Sequence, residues 1–314
     1  MVQVTGSERV MVFGAGGFLG TKICALLAER GIEHRGMTRS TGDPHRQFDL
    51  ATGHSYALDA QIGRYKPTVI INAAAATHGD VHQLTRGNVV AVEALLSSMR
   101  NHATNARFVH FGSAAEYGGA PHGTSQDEQV DLRPVAPYGF TKLAGSELVL
   151  RAQRNGADAV LLRPFQITGP GSPASTLVGR VIRQVGTTDT LQMGSLEAWR
   201  DYVDVRDIAA AAVAAALTDA KLPPVLNVGS GRAALARDVV HRLIELSGIP
   251  TKVVEGAVHA GHAGSPADAA PWQQANTSLI EKHLGWTCQI SLDQSLIDTW
   301  AAHDRARGPA SVQG

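Results

Sequence analysis

The sequence predicts an α/β protein, a doubly wound parallel sheet followed by a smaller C-terminal α/β lobe. Three observations predict it. Short apolar runs alternate with helix-length amphipathic segments as far as Arg163. The first run leads directly into the glycine-rich stretch Gly14-Ala15-Gly16-Gly17-Phe18-Leu19-Gly20. Farther on, Pro137-Tyr138-Gly139-Phe140-Thr141-Lys142 places a tyrosine and a lysine four residues apart, on one face of a helix.

Val10-Met11-Val12-Phe13 reads as a buried parallel strand, continuous in apolar residues because both its faces are covered. The helix after the glycines runs from Leu19 to Arg30 and stops at Gly31. Gly14 permits a tight turn, Gly17 lets a pyrophosphate approach the backbone, and Gly20 allows close helix–strand packing. Gly16 also lies in this turn, and the helix start beyond it, at Phe18 and Leu19, offers free N–H groups to phosphate. The spacing is Gly-x-x-Gly-x-x-Gly, a variant of the usual dinucleotide fingerprint, and the domain it opens is of Rossmann type.

A second strand spans Glu33 to Thr38. NAD sites usually carry an acid at its end, but here Met37-Thr38-Arg39-Ser40 has none. Arg39 can pair a 2′-phosphate through its guanidinium fork, which favours NADP(H) over NAD; a solvated loop residue is the alternative. Asp49-Leu50 ends a short third strand, with Asp49 placed to bond an adenine amino group. Thr68 to Asn72 is the fourth strand, and Ala73, Ala74 and Ala75 after it let a flat cofactor lie against the backbone. The next helix contains Asn88, which can hold a kink or a water, and continues through Leu96 and Met99. Phe108 to Phe111 is the fifth strand; Ser113 stands at its end, where ligands gather in a parallel sheet. The Tyr138 helix runs to Asn155, and Ala159 to Arg163 is the sixth strand. Beyond Pro164 come a loop at Gly169–Pro173, a helix at 176–185, and the densest charged run, Arg200 to Asp207. Val225 to Val228 is a strand returning to the main sheet. Helices follow near 235–247 and 291–303, with a Gly/Ala/His-rich loop at 257–270 and a frayed tail after Asp304. Residues 1–164 are thus the dinucleotide-binding unit and 165–314 the substrate lobe, with 203–230 returning to the first unit.

Balanced charge (28 basic and 28 acidic residues) without a basic stripe argues against nucleic acid and membrane surfaces as partners. Cys24 and Cys288, far apart in 314 residues, argue against a disulfide framework and fit a reducing cytoplasm. The N-terminus lacks a signal core, and no apolar run reaches the ~18 residues that span a bilayer. The pairs His78/His82 and His259/His262 lack a clear third ligand and read as solvated, so no metal is expected.

Chemistry follows from the tyrosine, the lysine and the serine. A lysine ammonium one turn away favours phenolate, drawing the Tyr138 pKa from about 10 toward neutrality. A tyrosine so tuned gives or takes a proton at a carbon–oxygen centre near pH 7. Ser113 is placed to bond the same oxygen.

From Val10 to Trp300 the chain resembles the extended short-chain dehydrogenase/reductases: nucleotide-sugar epimerases, dehydratases and reductases. Within them it is most similar to the GDP-4-keto-6-deoxymannose reductases. The resemblance rests on three stretches: Gly112-Ser113-Ala114-Ala115-Glu116-Tyr117-Gly118, the run from Arg163 to Gly171, and the run from Gly194 to Asp207. It implies a catalytic set of Ser113, Tyr138 and Lys142, with Lys142 also on the nicotinamide ribose. Asn88 and Pro164 join the cofactor site, and Ala114, Gln166 and Arg200 the substrate site. It also implies a homodimer formed through the helices containing Asn88 and Tyr138. The family's dehydratases carry an Asp-Glu pair where Ala114-Ala115 stand, which rejects a 4,6-dehydratase. Gln166 replaces an asparagine, and Ser265-Pro266-Ala267-Asp268 replaces Arg-Pro-x-Asp, so the arginine for the diphosphate is missing. The expected function is NADPH-dependent reduction of a ketone at C4 of a nucleotide-linked 4-keto-6-deoxysugar. An NAD-dependent epimerase, a ketoreductase on a non-nucleotide substrate, and a non-catalytic dinucleotide-binding sensor stay open.

Overall fold

The computed structural model describes residues 8–39, 43, 46–256 and 271–307. The order is β1 (Arg9–Phe13), α1 (Phe18–Glu29), β2 (Glu33–Met37), α2 (Tyr56–Tyr65), β3 (Val69–Asn72), α3 (Val81–Thr85), α4 (Ala91–His102), β4 (Arg107–Phe111), α5 (Pro137–Arg154) and β5 (Ala159–Pro164). Then come β6 (Gln166–Thr168), α6 (Leu177–Gln184), β7 (Thr190–Met193), β8 (Trp199–Asp204), α7 (Val205–Leu217) and β9 (Val225–Val228). The remainder is β10 (Ala233–Leu235), α8 (Ala236–Ser247), β11 (Lys252–Glu255), α9 (Ser278–Leu284) and α10 (Leu292–Arg307).

Six parallel strands form the main sheet in the order β2-β1-β3-β4-β5-β9. Alternation of side chains explains why these strands read as unbroken apolar runs. Val10, Val12, Ile71 and Val109 bury one face with helices α1 and α7, whereas Met11, Phe13, Ile70 and Phe108 bury the other with α2 and α4. Strand order reverses between β1 and β3, and a crevice opens at the carboxyl ends there. A further apolar cluster, built on Val178, Val181, Leu191, Tyr202, Val240 and Leu296, lies with the sheet β10-β8-β6 and the pair β11-β7.

Two expectations need correction. The third strand is a single parallel bridge, Thr38 to Gln47; Asp49 caps a 3-10 turn over Leu50–Thr52 instead of ending a strand. The short polar segment before Asp49 offers too few apolar residues to extend a ladder. The tail expected to fray after Asp304 is helical as far as Arg307, and residues 308–314 lie outside the described residues. The helix containing Asn88 carries a π-helical turn, Arg86–Val90, between α3 and α4, in line with the kink read for Asn88. Residues 257–270, expected to form a loop and including His259, His262 and Ser265–Asp268, lie outside the described residues.

Candidate active site

The crevice is built by backbone first. Gly14 has φ of +80°, a left-handed conformation suited to glycine, and a methyl there would stand 2.6 Å from the Ala74 nitrogen. At Gly20 a methyl would stand 2.0 Å from the Gly14 carbonyl oxygen, so helix α1 seats directly on the turn. The N–H of Gly17 is taken by Gly14 O at 2.9 Å, and the first helical bond runs from Thr21 N to Gly17 O. Phe18, Leu19 and Gly20 therefore present the open N–H groups of the helix start, with no acidic residue in that turn to oppose an anion. The Leu19 side chain itself packs on the core, so any part it takes is through its backbone.

A cleft of about 810 Å³ opens here, lined by Gly14, Gly16, Gly17, Arg39, Asp49, Leu50, Ala73, Ala74 and Ala75 among others. A smaller one of about 350 Å³ lies between Gly16, Gly17, Phe18 and Lys22 on one side and Pro170, Gly171 and Pro173 on the other. The larger cleft fits a dinucleotide. Gly16 is exposed, and a methyl there would make only ordinary contact with Thr38 at 3.5 Å. Internal packing therefore does not demand that glycine. Arg39 is exposed at this cleft, as is Asp49, whose carboxylate accepts the Ala51 N–H at 3.0 Å.

Asn88 does not line the cleft. Its amide oxygen accepts from Ala76 N at 2.9 Å, and its amide nitrogen donates to Ala76 O and to Thr141 Oγ1 at 3.0 Å. It ties the cleft wall to α5 with no water needed. Pro164 is buried at the end of β5, in register with Val228. Sequence reasoning read His78 as solvated and missed Gln83 and Arg86; all three line the cleft from the loop and helix after β3. Arg86 donates to Ala51 O at 2.9 Å, a loop-to-helix link without a local sequence signature.

Ser113, Tyr138 and Lys142 come together at the carboxyl end of β4. Ser113 caps the short 3-10 turn Ala114–Glu116, and its hydroxyl accepts the Ala115 N–H at 3.2 Å. Pro137 starts α5, so Tyr138 sits in the first turn, half-buried, and within hydrogen-bonding reach of Ser113. Lys142, one turn on and 2% exposed, donates to the Phe111 carbonyl at 2.5 Å.

The electrostatics depart from expectation. Burial pushes the Tyr138 phenol above its ordinary value; the Ser113 hydrogen bond pulls it down and the Glu116 carboxylate pushes it up again. Burial lowers Lys142 to about 8, against an upward pull from Glu116. Lys142 thus bonds a strand carbonyl, and Tyr138 is not drawn toward neutrality in the protein alone.

In the lobe, Gln166 stands on β6 opposite Tyr202, and Arg200 on β8 opposite Ala234. Arg200 donates to its neighbour's carbonyl, Trp199 O, at 2.7 Å, and burial lowers its pKa. Among the described residues no hydrogen bond links either one to Ser113, Tyr138 or Lys142. Ala114 is buried, its carbonyl accepting from Gln273 Nε2 at 3.1 Å.

A dinucleotide cleft at the switch point, with a serine, tyrosine and lysine at the neighbouring strand end, defines an NAD(P)-dependent oxidoreductase. The NAD dependent epimerase/dehydratase family model matches residues 10–229, and the chain belongs to that family. It is 37% identical to the dTDP-6-deoxy-L-talose 4-dehydrogenase (NAD(P)(+)) of Kitasatospora kifunensis, over 96% of this chain and 98% of that protein. It is 23% identical to the GDP-6-deoxy-D-mannose reductase of Pseudomonas aeruginosa, over 92% of this chain and 95% of that one. Among solved structures, MoeE5 in complex with UDP-glucuronic acid and NAD superposes with a TM-score of 0.83 at 25% identity, covering 95% of this chain and all of that one.

Proposed function

We propose that the protein reduces a ketone at C4 of a nucleotide-linked 4-keto-6-deoxyhexose with NADPH, and runs the reverse oxidation through the same residues. The observation that carries this is the meeting of Ser113 and Tyr138 at the end of β4, with Lys142 buried behind them. The likeness to a dTDP-6-deoxy-L-talose 4-dehydrogenase supports C4 as the position and makes a dTDP sugar the first substrate to test. Arg39 at the cleft supports NADPH.

The bound dinucleotide supplies the hydride. Tyr138 then gives its proton to the developing alkoxide, and the Ser113 hydroxyl donates to the same oxygen. Lys142 keeps a positive charge beside them, held in place by Phe111 O. Arg200 and Gln166 carry the substrate's nucleotide side from the lobe. Exposed Phe140 on α5 and Val90 just before α4 support a homodimer through those helices.

The test is loss of NADPH absorbance with dTDP-, GDP- and UDP-linked 4-keto-6-deoxyhexoses, NADH run in parallel. We expect turnover with the dTDP sugar, a lower KM for NADPH than for NADH, and a fall of at least ~10²-fold in Tyr138→Phe. Silence across the panel with NADPH still binding refutes the sugar-nucleotide reading. Purification with tightly held NAD would point to an epimerase.

A further inference from the structure

Behind the site lies a buried polar network. Glu116 is fully buried, and both its oxygens are saturated. Oε1 accepts from the Ser113 N–H at 2.8 Å and from the Ser146 hydroxyl at 2.9 Å. Oε2 accepts from Arg163 Nε at 3.1 Å and Nη2 at 2.8 Å. Arg163, 1% exposed, donates from Nη1 to the Tyr117 hydroxyl at 2.8 Å, and that hydroxyl donates to Asn227 Oδ1 at 2.8 Å. One carboxylate thus joins the turn bearing Ser113 to the helix bearing Tyr138 and Lys142 and to strand β5.

We propose that Glu116 is a positioning residue: clamped by Arg163, it fixes the turn that presents Ser113 to Tyr138 and sets the charge balance beneath the two catalytic side chains on α5. This rests on the catalytic reading of Ser113, Tyr138 and Lys142 given above. A solvated carboxylate would suffice to cap a turn. This one is withdrawn from water and neutralised by a single arginine, an arrangement that fixes geometry more than it stabilises the fold.

The charged and titratable groups around Tyr138 and Lys142 are few. Among the described residues Glu116 acts on both from the turn and His110 meets Lys142 from β4, while Arg163 on β5 and Tyr117 lie one contact farther back, on Glu116 and on each other, with Glu128 beside Tyr117. Burial and Lys142 keep His110 neutral, and burial pushes Tyr117 up to about 12. Glu116 is the negative neighbour that raises both Tyr138 and Lys142. Ketone reduction needs a protonated Tyr138 and a charged Lys142. Removing the Glu116 charge lowers both pKa values, so the alkaline limb of kcat/KM moves to lower pH.

Glu116→Gln keeps the acceptor for the Ser113 N–H and loses the charge. Expected are a kcat lower by about tenfold, a KM for the sugar within about twofold, and an alkaline limb displaced downward by about half a pH unit or more. Glu116→Asp, which keeps the charge, should hold the limb at its native pH while kcat falls. Should Glu116→Gln fail to fold, the double variant Glu116→Gln/Arg163→Met, which buries no unpaired charge, is expected to show a lowered kcat and a limb displaced in the same direction but by less, since the guanidinium leaves with the carboxylate. A native limb and native kcat in folded Glu116→Gln or in the double variant overturns the proposal. Tyr138→Phe, run alongside, separates the two readings. If it stays active, the catalytic assignment falls; if it is dead while Glu116→Gln keeps the native limb and kcat, only the role of Glu116 falls.

Discussion

Gly139 sets how closely α5 approaches the Ser113 turn. It follows Tyr138, is buried, and a methyl there would stand 2.7 Å from the Ala115 carbonyl oxygen and 3.0 Å from Pro134 Cβ. Carbon–oxygen contacts of this kind settle at about 3.3 Å or more, so in Gly139→Ala the helix and the turn must part by roughly half an ångström. A misplacement of about 1 Å can cost ~10²-fold in rate, which makes a loss near tenfold in kcat the expectation here. Stability should move less. Alanine gains about 1 kcal/mol over glycine inside a helix, and overpacking costs about 1–3 kcal/mol, leaving a net loss of about 0–2 kcal/mol. Gly63→Ala in α2 is the control, since its methyl would meet nothing closer than His102 Nδ1 at 3.5 Å. Steady-state rates and thermal melts of both variants decide the matter. Native kcat in Gly139→Ala, with a Tm raised as in the control, would refute the claim that this contact sets the Tyr138–Ser113 distance.

Lys142→Met should abolish turnover yet raise stability at pH 7. The folded pKa of about 8 lies below the ordinary 10.5, so burying the ammonium costs roughly 3 kcal/mol below pH 8. The unfolded chain binds the extra proton between pH 8 and 10.5, so the native protein gains stability as pH rises through that window. The advantage of the methionine variant should shrink over the same window, and denaturant titrations at pH 7 and 10 read it. Asp201→Asn should destabilise by about 2–4 kcal/mol, because an amide presents only one oxygen to four donors. Those donors are Ser230 N and Oγ at 2.7 and 2.6 Å, Gly231 N at 2.9 Å and Ala275 N at 3.0 Å. A thermal melt checks it, with dinucleotide affinity expected to stay native.

Local signals carried most of what the sequence revealed. β1 and β3 are legible because each is an unbroken apolar run buried on both faces, and α1 because glycines bracket it. The failures are of another kind. The sequence marks Arg200 to Asp207 only as the densest charged run, and nothing in it says that Asp201, Asp204 and Asp207 are all buried. Asp207 accepts the N–H groups of Gln289 and Ile290, some eighty residues away, and Asp204 accepts from Ser295. Glu116 likewise has no local signal of its partner, Arg163, which meets it from β5. Partners brought in by topology leave no periodicity behind, so a buried carboxylate and a solvated one look alike in sequence.

The same limit applies to the tyrosine. Helical spacing places Lys142 one turn from Tyr138, but spacing does not say where the amine points, and here it turns to Phe111 O. The protein alone holds Tyr138 protonated, through burial and Glu116, with Ser113 pulling the other way. A protonated phenol is ready to donate, which is the state ketone reduction starts from. Alcohol oxidation starts from the phenolate and must work against that bias. The reductive direction should therefore keep its rate through neutral pH, while oxidation by the same residues climbs steadily as pH rises.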